Sequence, residues 1–223
     1  MGIVNITPDS FSDGGKFMNL NSALDHAKRM VDEGADIIDV GGESTRPGAD
    51  PVSLEEERRR VLPLIEKLAQ QFDVPVSVDT TKVALAQGAL EAGAVMINDI
   101  SSFRFEPGMA YLAAEHEVPV ILMHMRGTPQ TMQHQVVYDT LISEIIDFLK
   151  ERIEFAESAG INPRQIIVDP GIGFGKSLPD GNLTIIKNLA TFKLLGKPIL
   201  VGLSRKAFIG HVLKLGVEER EEG

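Results

Sequence analysis

The stretch VPVSVDTTKVALAQGALEAGAVMIND, residues 74–99, decides the fold. It begins and ends with a short apolar run, Val74–Val78 and Ala94–Ile97, and neither run alternates polar with apolar residues. Continuous apolar runs of this length are typical of parallel strands that are buried on both faces. Parallel strands need a crossover connection, and the residues between the two runs are long enough to form a helix. The stretch therefore predicts a strand–helix–strand unit in a parallel sheet.

The same pattern continues on both sides of this unit. Five further apolar runs share its character: Gly2–Ile6, Ile37–Val40, Val118–Met123, Ile166–Val168 and Pro198–Val201. Helix signals lie between the runs. We expect Ser22 to open a helix that ends at Gly34, and Ser53 with Glu56 forms a capping box at the start of another. Seven repeats with no break in composition predict a single domain over residues 1–223.

Seven parallel strands could belong to a doubly wound sheet or to an eight-stranded barrel. A doubly wound sheet concentrates its ligand loops at one switch point, whereas a barrel uses the loops after all its strands. Polar and glycine-rich clusters follow nearly every run here, which favours a (β/α)8 TIM barrel with strands 1–7 present and strand 8 missing. We expect a fragment that lacks its C-terminal βα unit and part of the lead-in to the first strand. Expressed alone, it should be poorly stable and nearly inactive because the sheet edges would be open.

Composition excludes several classes of protein. The chain has no cysteine, which excludes a disulfide scaffold, a thiolate metal site and a cysteine nucleophile. A net charge of -10 argues against non-specific nucleic-acid binding. No apolar run approaches the ~20 residues needed to cross a bilayer. We expect a cytoplasmic protein that binds neither nucleic acid nor membrane.

Polar residues cluster at the carboxyl ends of the predicted strands. In chain order they are Asn5, the run Gly41–Gly48, Asp79, Asn98, the run Met123–Gly127, Asp169 and the run Ser204–Lys206. Any one of them could be structural, and Asp79 alone could cap the helix that follows it. Strand ends in a barrel converge on one site, however, so the repeated pattern favours a shared pocket over separate caps.

The residue types indicate what such a pocket binds. Ionised Asp79 and Asp169 only accept hydrogen bonds, Asn98 both donates and accepts, and Lys206 only donates. This set suits a flat heterocycle with amino, ring N–H and carbonyl groups. Basic side chains in the second and seventh loops suit a carboxylate or a phosphate. The sequence therefore predicts a polar heteroaromatic ligand together with an anion.

Two other signals are weaker. The glycine-rich run Gly171–Ser177 resembles a phosphate-binding loop, but Pro170 occupies the position of the first glycine of that motif, so nucleotide binding is disfavoured. The run is interpreted as a loop in which glycines permit close backbone approach to a ligand. Of the five histidines only His124 follows a strand, and we expect it to make a structural hydrogen bond.

Seven motifs, in this order, resemble those of dihydropteroate synthases, a family of pterin-binding TIM barrels. They are Asn5–Gly15, Gly41–Gly48, Ser77–Thr80, Asn98–Asp99, Met123–Met125, Asp169–Lys176 and Gly202–Lys206. The resemblance runs from Met1 to about Gly223 without a large gap. It implies condensation of 6-hydroxymethyl-7,8-dihydropterin diphosphate with p-aminobenzoate, releasing diphosphate with Mg²⁺ assistance, in folate biosynthesis. It also implies a sulfonamide target and a homodimer.

The resemblance further implies roles for individual residues. The pterin is expected among Asp79, Asn98, Asp169 and Lys206, with walls from Met123, Phe174 and Gly202. p-Aminobenzoate is expected beside Thr45, Arg46, Pro47 and Ser204. Asn5 matches the position that holds Mg²⁺ and diphosphate. The catalytic residues implied are Asp79, Lys206 and Asp13, the carboxylates favouring positive charge that develops on the pterin.

Two alternatives share the pterin contacts. A pterin-binding methyltransferase domain is a related barrel, but it would not be expected to keep Thr45–Gly48 together with Ser204–Lys206. A non-catalytic pterin-binding module is favoured by the missing strand and disfavoured by the complete loop motifs. Turnover in the presence of p-aminobenzoate distinguishes both from the synthase.

Overall fold

A computed structural model describes residues 1–6, 16–44, 51–133 and 136–216, with only the backbone described for residues 16–19. Its centre is a six-stranded sheet in which every neighbouring pair is parallel and the strands follow one another in chain order. The strands are β1 (Gly2–Asn5), β2 (Ile38–Gly41), β3 (Val76–Asp79), β4 (Met96–Asp99), β5 (Val120–Met123) and β6 (Ile166–Asp169). This is the TIM-barrel type of α/β architecture that the sequence predicts.

A helix lies in each connection between successive strands. The helices are α1 (Lys16–Asp32), α2 (Leu54–Gln71), α3 (Val83–Glu91), α4 (Gly108–Glu115), α5 (Leu141–Ser158), α6 (Asp180–Lys187) and α7 (Ala207–Leu213). Short 3₁₀ turns occupy Pro163–Gln165 and Leu189–Leu195. Neighbouring helices α1 to α4 pack against one another on the outside of the sheet. The sheet and its helices share one hydrophobic core.

Helix α2 shows how the sequence sets a helix boundary. The Ser53 hydroxyl accepts a hydrogen bond of 3.3 Å from the Glu56 backbone N–H, which is half of the predicted capping box. The Glu56 carboxylate contacts Arg59 and Arg60 instead of returning to the Ser53 backbone. The buried apolar side chains recur at helical spacing: Val61, Leu64, Ile65 and Leu68. Burying each contributes about 1.5–3 kcal/mol to stability.

The two faces of the sheet differ. Side chains directed at the helices belong to the main core, for example Val40, Val78 and Leu122. Alternate positions on the same strands carry Asp39 and Ser77, which are buried on the other face. Because side chains alternate along a strand, these polar residues line the inner face of the curved sheet. The inner face is therefore polar toward its carboxyl end.

The structure corrects the prediction of a seventh strand at Pro198–Val201. Among the described residues it pairs with β6 only through a single parallel bridge between Val168 and Ile199. Two backbone hydrogen bonds hold it there, from Val168 N–H to Pro198 C=O at 2.9 Å and from Leu200 N–H to Val168 C=O at 2.8 Å. Pro198 has no N–H to extend the ladder. The structure therefore has six strands and a bridged seventh segment.

The predicted start of the first helix is also wrong. Helix α1 includes Lys16, so Ser22 lies inside it and does not cap it. Serine is tolerated at an exposed position within a helix, and Ser22 is exposed. The predicted end is confirmed, because Gly34 follows the last turn with φ of 100°.

Candidate active site

The strand register places four of the predicted site positions side by side. Asn5 of β1 pairs with Gly41 of β2, which pairs with Asp79 of β3, which in turn pairs with Asn98 of β4. All lie at or next to the carboxyl end of a strand. On the far side of the sheet, Met123 of β5 pairs with Asp169 of β6. The polar strand ends of the sequence therefore form one rim.

Gly41 allows two functional side chains to approach each other across β2. A methyl group placed on Gly41 would lie 2.9 Å from Asn5 Oδ1 and 3.5 Å from Asp79 Oδ2. Contacts below about 3 Å to such a methyl group would displace the amide. Gly41 therefore leaves space at the rim for the side chains of Asn5 and Asp79 on either side of it.

A second polar layer lies one residue pair deeper in the sheet. Asp39 Oδ1 accepts a hydrogen bond from Ser77 Oγ at 2.5 Å, and Asp39 Oδ2 accepts one from Asn98 Nδ2 at 3.1 Å. Sequence reasoning missed Asp39. The signal that could have found it is an aspartate inside the apolar run Ile37–Val40, because buried carboxyls are rare unless they have partners.

The rim and the deeper layer are dense in carboxyl groups. Burial raises the pKa of Asp79 well above its ordinary value, and the nearby carboxyls of Asp39 and Asp99 raise it further. Burial also raises the pKa of Asp39, against the hydrogen bonds from Ser77 and Asn98. The helix that follows Asp79 has Lys82 at its N-cap position, and the Lys82 backbone N–H donates to Thr80 Oγ1 at 3.1 Å. Among the described residues Asp79 is therefore not the cap of α3.

The opposite side of the rim carries the lysine and the aromatic wall. The Lys206 ammonium lies 4.9 Å from the centre of the Phe174 ring and donates to the Ile172 carbonyl. A methyl group on Gly202 would lie 3.3 Å from Lys206 Nζ, so Gly202 leaves room for that side chain. Burial lowers the pKa of Lys206, and the Asp169 carboxylate opposes that shift. The predicted group of Asp169, Phe174, Gly202 and Lys206 is thus brought together.

Asp169 itself is anchored by the backbone. Its Oδ1 accepts the Gly171 N–H at 2.7 Å, and burial raises the pKa of its carboxyl against this hydrogen bond. Met123, the other predicted wall, belongs to a small apolar cluster with Ile100, Met125 and Met132, against which Phe174 packs. An apolar surface thus adjoins the polar rim, as a flat ring with polar edges requires.

Lys176 connects two loops of the site through buried hydrogen bonds. Its buried ammonium donates to three carbonyl oxygens: Gly171 at 2.8 Å, Phe174 at 2.8 Å and His124 at 3.1 Å. Burial lowers its pKa well below the usual lysine range. The sequence had predicted only a glycine-rich loop here, because the run does not match the phosphate-binding motif. The structure instead shows a lysine that joins the loop after β5 to the loop after β6.

His124 does not make its predicted structural hydrogen bond through Nδ1. Its Nδ1 is buried with no hydrogen-bond partner among the described residues, and its ring meets Phe148 edge to face at 4.9 Å. Burial lowers the pKa of His124 to about 2, and the charges of Lys176 and Arg104 lower it as well. A neutral, enclosed imidazole of this kind does not serve as a proton carrier at neutral pH.

Four predicted site residues lie outside the described residues: Asp13, Thr45, Arg46 and Pro47. Ser204 is described and is exposed beside the rim. The residues on either side of positions 45–50 are held by Lys82, which the sequence reasoning also missed. Its Nζ contacts Glu43 Oε2 at 2.6 Å, the Val52 carbonyl at 2.8 Å and Glu57 Oε2 at 2.7 Å.

Among residues 1–6, 16–44, 51–133 and 136–216 no group of three His, Cys, Asp or Glu side chains could hold a metal ion. None of the helices in these residues is long and apolar enough to cross a membrane.

The fold and the rim define an enzyme of the pterin-binding barrel class. Over residues 1–223 the chain matches the family described as pterin binding enzyme. It is 53% identical to dihydropteroate synthase of Synechocystis sp. over 213 residues, which are 96% of this chain and 73% of that protein. It is 51% identical to the Bacillus subtilis dihydropteroate synthase, over 100% of this chain and 75% of the relative.

Solved structures that resemble this chain belong to the same family as these relatives. The Yersinia pestis dihydropteroate synthase, in a sulfonamide drug complex, superposes with a TM-score of 0.92 at 49% identity, covering 99% of this chain and 79% of that one. The Xanthomonas albilineans dihydropteroate synthase with 4-aminobenzoic acid gives a TM-score of 0.92 at 48% identity, covering 100% and 79%. The chain therefore belongs to the dihydropteroate synthase family, whose members are transferases.

Proposed function

We propose that this chain joins 6-hydroxymethyl-7,8-dihydropterin diphosphate to p-aminobenzoate, forming 7,8-dihydropteroate and diphosphate in folate biosynthesis. The observation that carries the proposal is the convergence of Asp79, Asn98, Asp169 and Lys206 on one rim beside Phe174. Two solved structures of the Xanthomonas albilineans dihydropteroate synthase support it, since one holds 4-aminobenzoic acid and the other 7,8-dihydropteroate.

The pterin lies between the two halves of the rim in this proposal. Asp79, Asn98 and Asp169 accept hydrogen bonds from its amino and ring N–H groups, and Lys206 donates to an acceptor of the ring. Phe174 and Met123 pack against the flat face, with Gly202 allowing close approach. The site therefore contacts both the polar edge and the aromatic plane of the ligand.

The chemistry needs no protein nucleophile. The bond between the exocyclic carbon and the diphosphate oxygen breaks with its electron pair going to diphosphate, and the pterin nitrogens support the positive charge left on carbon. The carboxylates of Asp79 and Asp13 stabilise that charge. The arylamine nitrogen then bonds to the carbon and loses a proton. Orientation and electrostatics are the main contributions of the protein.

Mg²⁺ fits this site as a partner of the substrate. The ion prefers oxygen ligands, keeps several waters and is commonly held by one or two protein groups together with phosphates. Asn5 offers an amide oxygen at the exposed end of β1 and would hold the ion with the diphosphate. When bound, the ion would neutralise charge on the leaving group. Thr45, Arg46, Pro47 and Ser204 bind p-aminobenzoate in this proposal.

The family resemblance supports a homodimer, and the composition of the chain fits a cytoplasmic protein. We propose a homodimer and a cytoplasmic protein. Light scattering of the purified protein tests the first, and cell fractionation tests the second.

The experiment that tests the function measures diphosphate release from the pterin diphosphate with Mg²⁺, with and without p-aminobenzoate. It uses this chain joined to a family-typical eighth βα unit, since the chain alone is expected to be nearly inactive. We expect release that requires p-aminobenzoate and falls by about 100-fold or more in Lys206→Ala, the scale of losing one group that stabilises charge at a reacting centre. Lys187→Ala, at an exposed site on α6, is the matched control. Pterin binding without release would instead support the methyltransferase or the non-catalytic module.

A further inference from the structure

Asp39 is a buried carboxyl of the inner face that the proposed reaction does not use. It lies on β2, two residues before Gly41, and is only 3% exposed. Both of its oxygens have partners, Ser77 Oγ at 2.5 Å and Asn98 Nδ2 at 3.1 Å. The second partner belongs to the rim, so Asp39 acts on a residue that faces the ligand.

The contact between Asp39 and Asn98 matters because an asparagine amide has an acceptor oxygen on one side and a donor NH₂ group on the other. Either its oxygen or its NH₂ group can point in a given direction, and the surroundings decide which. An ionised carboxylate only accepts hydrogen bonds, so it selects the orientation in which Nδ2 points inward. Asn98 is half-buried at the carboxyl end of β4, and its Oδ1 is then the acceptor left for a ligand.

We propose that Asp39 is a positioning residue that holds the Asn98 amide with its oxygen toward the ligand, so that the rim recognises an N–H donor there. The inference rests on the proposed function and deepens it. Asp79, Asn98 and Asp169 then form a set of three acceptors opposite one donor, Lys206. This arrangement matches a ring whose edge is rich in N–H groups and discriminates against one that presents an acceptor there.

A purely structural role explains Asp39 less well. A buried carboxyl is unfavourable for stability, and the closeness of Asp79 adds repulsion between like charges. A neutral or apolar side chain would fill the same space between Ser77 and Asn98 without either penalty. Retaining a carboxylate makes physical sense where an obligatory acceptor is needed.

The test is a reciprocal exchange of the two side chains, with 7,8-dihydropteroate binding measured at equilibrium on the full chain. Asp39→Asn removes the obligatory acceptor, and we expect binding to weaken about tenfold, the effect of one charge-assisted hydrogen bond. Asn98→Asp alone sets two carboxyls against each other and should weaken binding more. The double variant Asp39→Asn/Asn98→Asp restores a donor–acceptor pair and still presents an oxygen to the ligand. We expect its affinity within about threefold of wild type.

Ser77→Ala is the control, since it removes the other hydrogen bond of Asp39 and leaves Asn98 in place. Unfolding temperatures of all variants are measured in parallel. Affinity that follows stability across the series, including Ser77→Ala, overturns the positioning role. So does a double variant that is folded but binds no better than the single variants.

The outcomes also separate this inference from the proposed function. Wild-type chain that binds 7,8-dihydropteroate but releases no diphosphate in the presence of p-aminobenzoate overturns the function, while the exchange experiment still decides the role of Asp39. Wild-type chain that does not bind 7,8-dihydropteroate overturns both.

Discussion

Some residues of the proposed site lower the stability of the fold, and Asp79 is the clearest case. Its carboxyl lies among other carboxyls without a hydrogen bond from any side chain in the described region, and burial raises its pKa. Asp99, a neighbour along the sheet, is also buried but accepts the N–H groups of Ser101 at 2.7 Å and Phe103 at 2.9 Å. Asp99 is therefore held by the fold, whereas the proposed function assigns the Asp79 carboxyl to the ligand.

We expect Asp79→Asn to raise the unfolding temperature and to lower turnover by about 100-fold. A carboxyl whose folded pKa is raised destabilises the protein increasingly as pH rises above its unfolded pKa of about 3.9, so a neutral amide removes that penalty at pH 7. Asp99→Asn is the matched control. Burial raises the pKa of Asp99 too, but this carboxyl accepts the Ser101 and Phe103 backbone N–H groups, so an NH₂ group facing either donor should lower the unfolding temperature. A lower unfolding temperature for Asp79→Asn would contradict the prediction.

Lys176 gives a second prediction at this scale. Lys176→Met leaves the carbonyls of His124 and Phe174 without a donor, whereas the Gly171 carbonyl keeps the Phe174 backbone N–H at 3.0 Å. Since each unsatisfied buried group costs about 1–3 kcal/mol, we expect the free energy of unfolding to fall by about 2 kcal/mol or more. Urea denaturation measures it. Lys187→Met, on an exposed surface, should change it by less than about 0.5 kcal/mol.

At the scale of elements, Lys82 connects parts of the chain that no single strand or helix would hold together. It lies just before α3 and contacts Glu43 after β2, Val52 before α2 and Glu57 within α2. Positions 45–50, which include three residues of the proposed p-aminobenzoate site, lie between Glu43 and Val52 in the sequence. The salt bridge to Glu43 and the hydrogen bond to the Val52 carbonyl therefore hold the residues at both ends of that connection.

We expect Lys82→Met to destabilise the protein by about 3–5 kcal/mol, because Glu57 is only 1% exposed and would lose its counter-charge. The KM for p-aminobenzoate should rise more than the KM for the pterin diphosphate. Adding Glu57→Gln to the same chain removes the buried charge and should recover part of the stability. Equal changes in both KM values would show that the contact serves only the fold.

At the scale of the whole molecule, buried titratable groups make stability depend on pH in opposite directions. Raised carboxyl pKa values at Asp39, Asp79 and Asp169 lower stability as pH rises from acid. His124 acts the other way. Its folded pKa is lowered to about 2, so between this value and about 6.5 the unfolded chain binds the extra proton and stability falls as pH falls.

The His124 contribution can be isolated with His124→Phe, which keeps an aromatic ring against Phe148 and cannot titrate. The difference in unfolding free energy between wild type and variant should change by about 2 kcal/mol from pH 7 to pH 5, with wild type losing stability. Urea denaturation at both values measures it. A difference that is independent of pH would show that His124 is protonated equally in both states.

The sequence by itself determined the parallel α/β architecture, the first six strands and the polar rim at their ends. Continuous apolar runs and strand-end residues are local signals, and a parallel sheet brings those ends to one edge whatever the details of packing. The helix start at Ser53 was local for the same reason, since a cap forms within one turn. Local signals were weaker where Pro198 interrupts the ladder and where α1 includes Ser22.

Only the tertiary structure decided which distant groups meet. The contacts of Asp39 with Asn98, of Lys82 with Glu43 and of Lys176 with His124 join residues on different strands and loops. Their partners depend on strand register and side-chain direction, which composition and spacing do not encode. A charged residue within an apolar run indicates that its side chain will be buried and will need a partner. The fold determines which partner that side chain contacts.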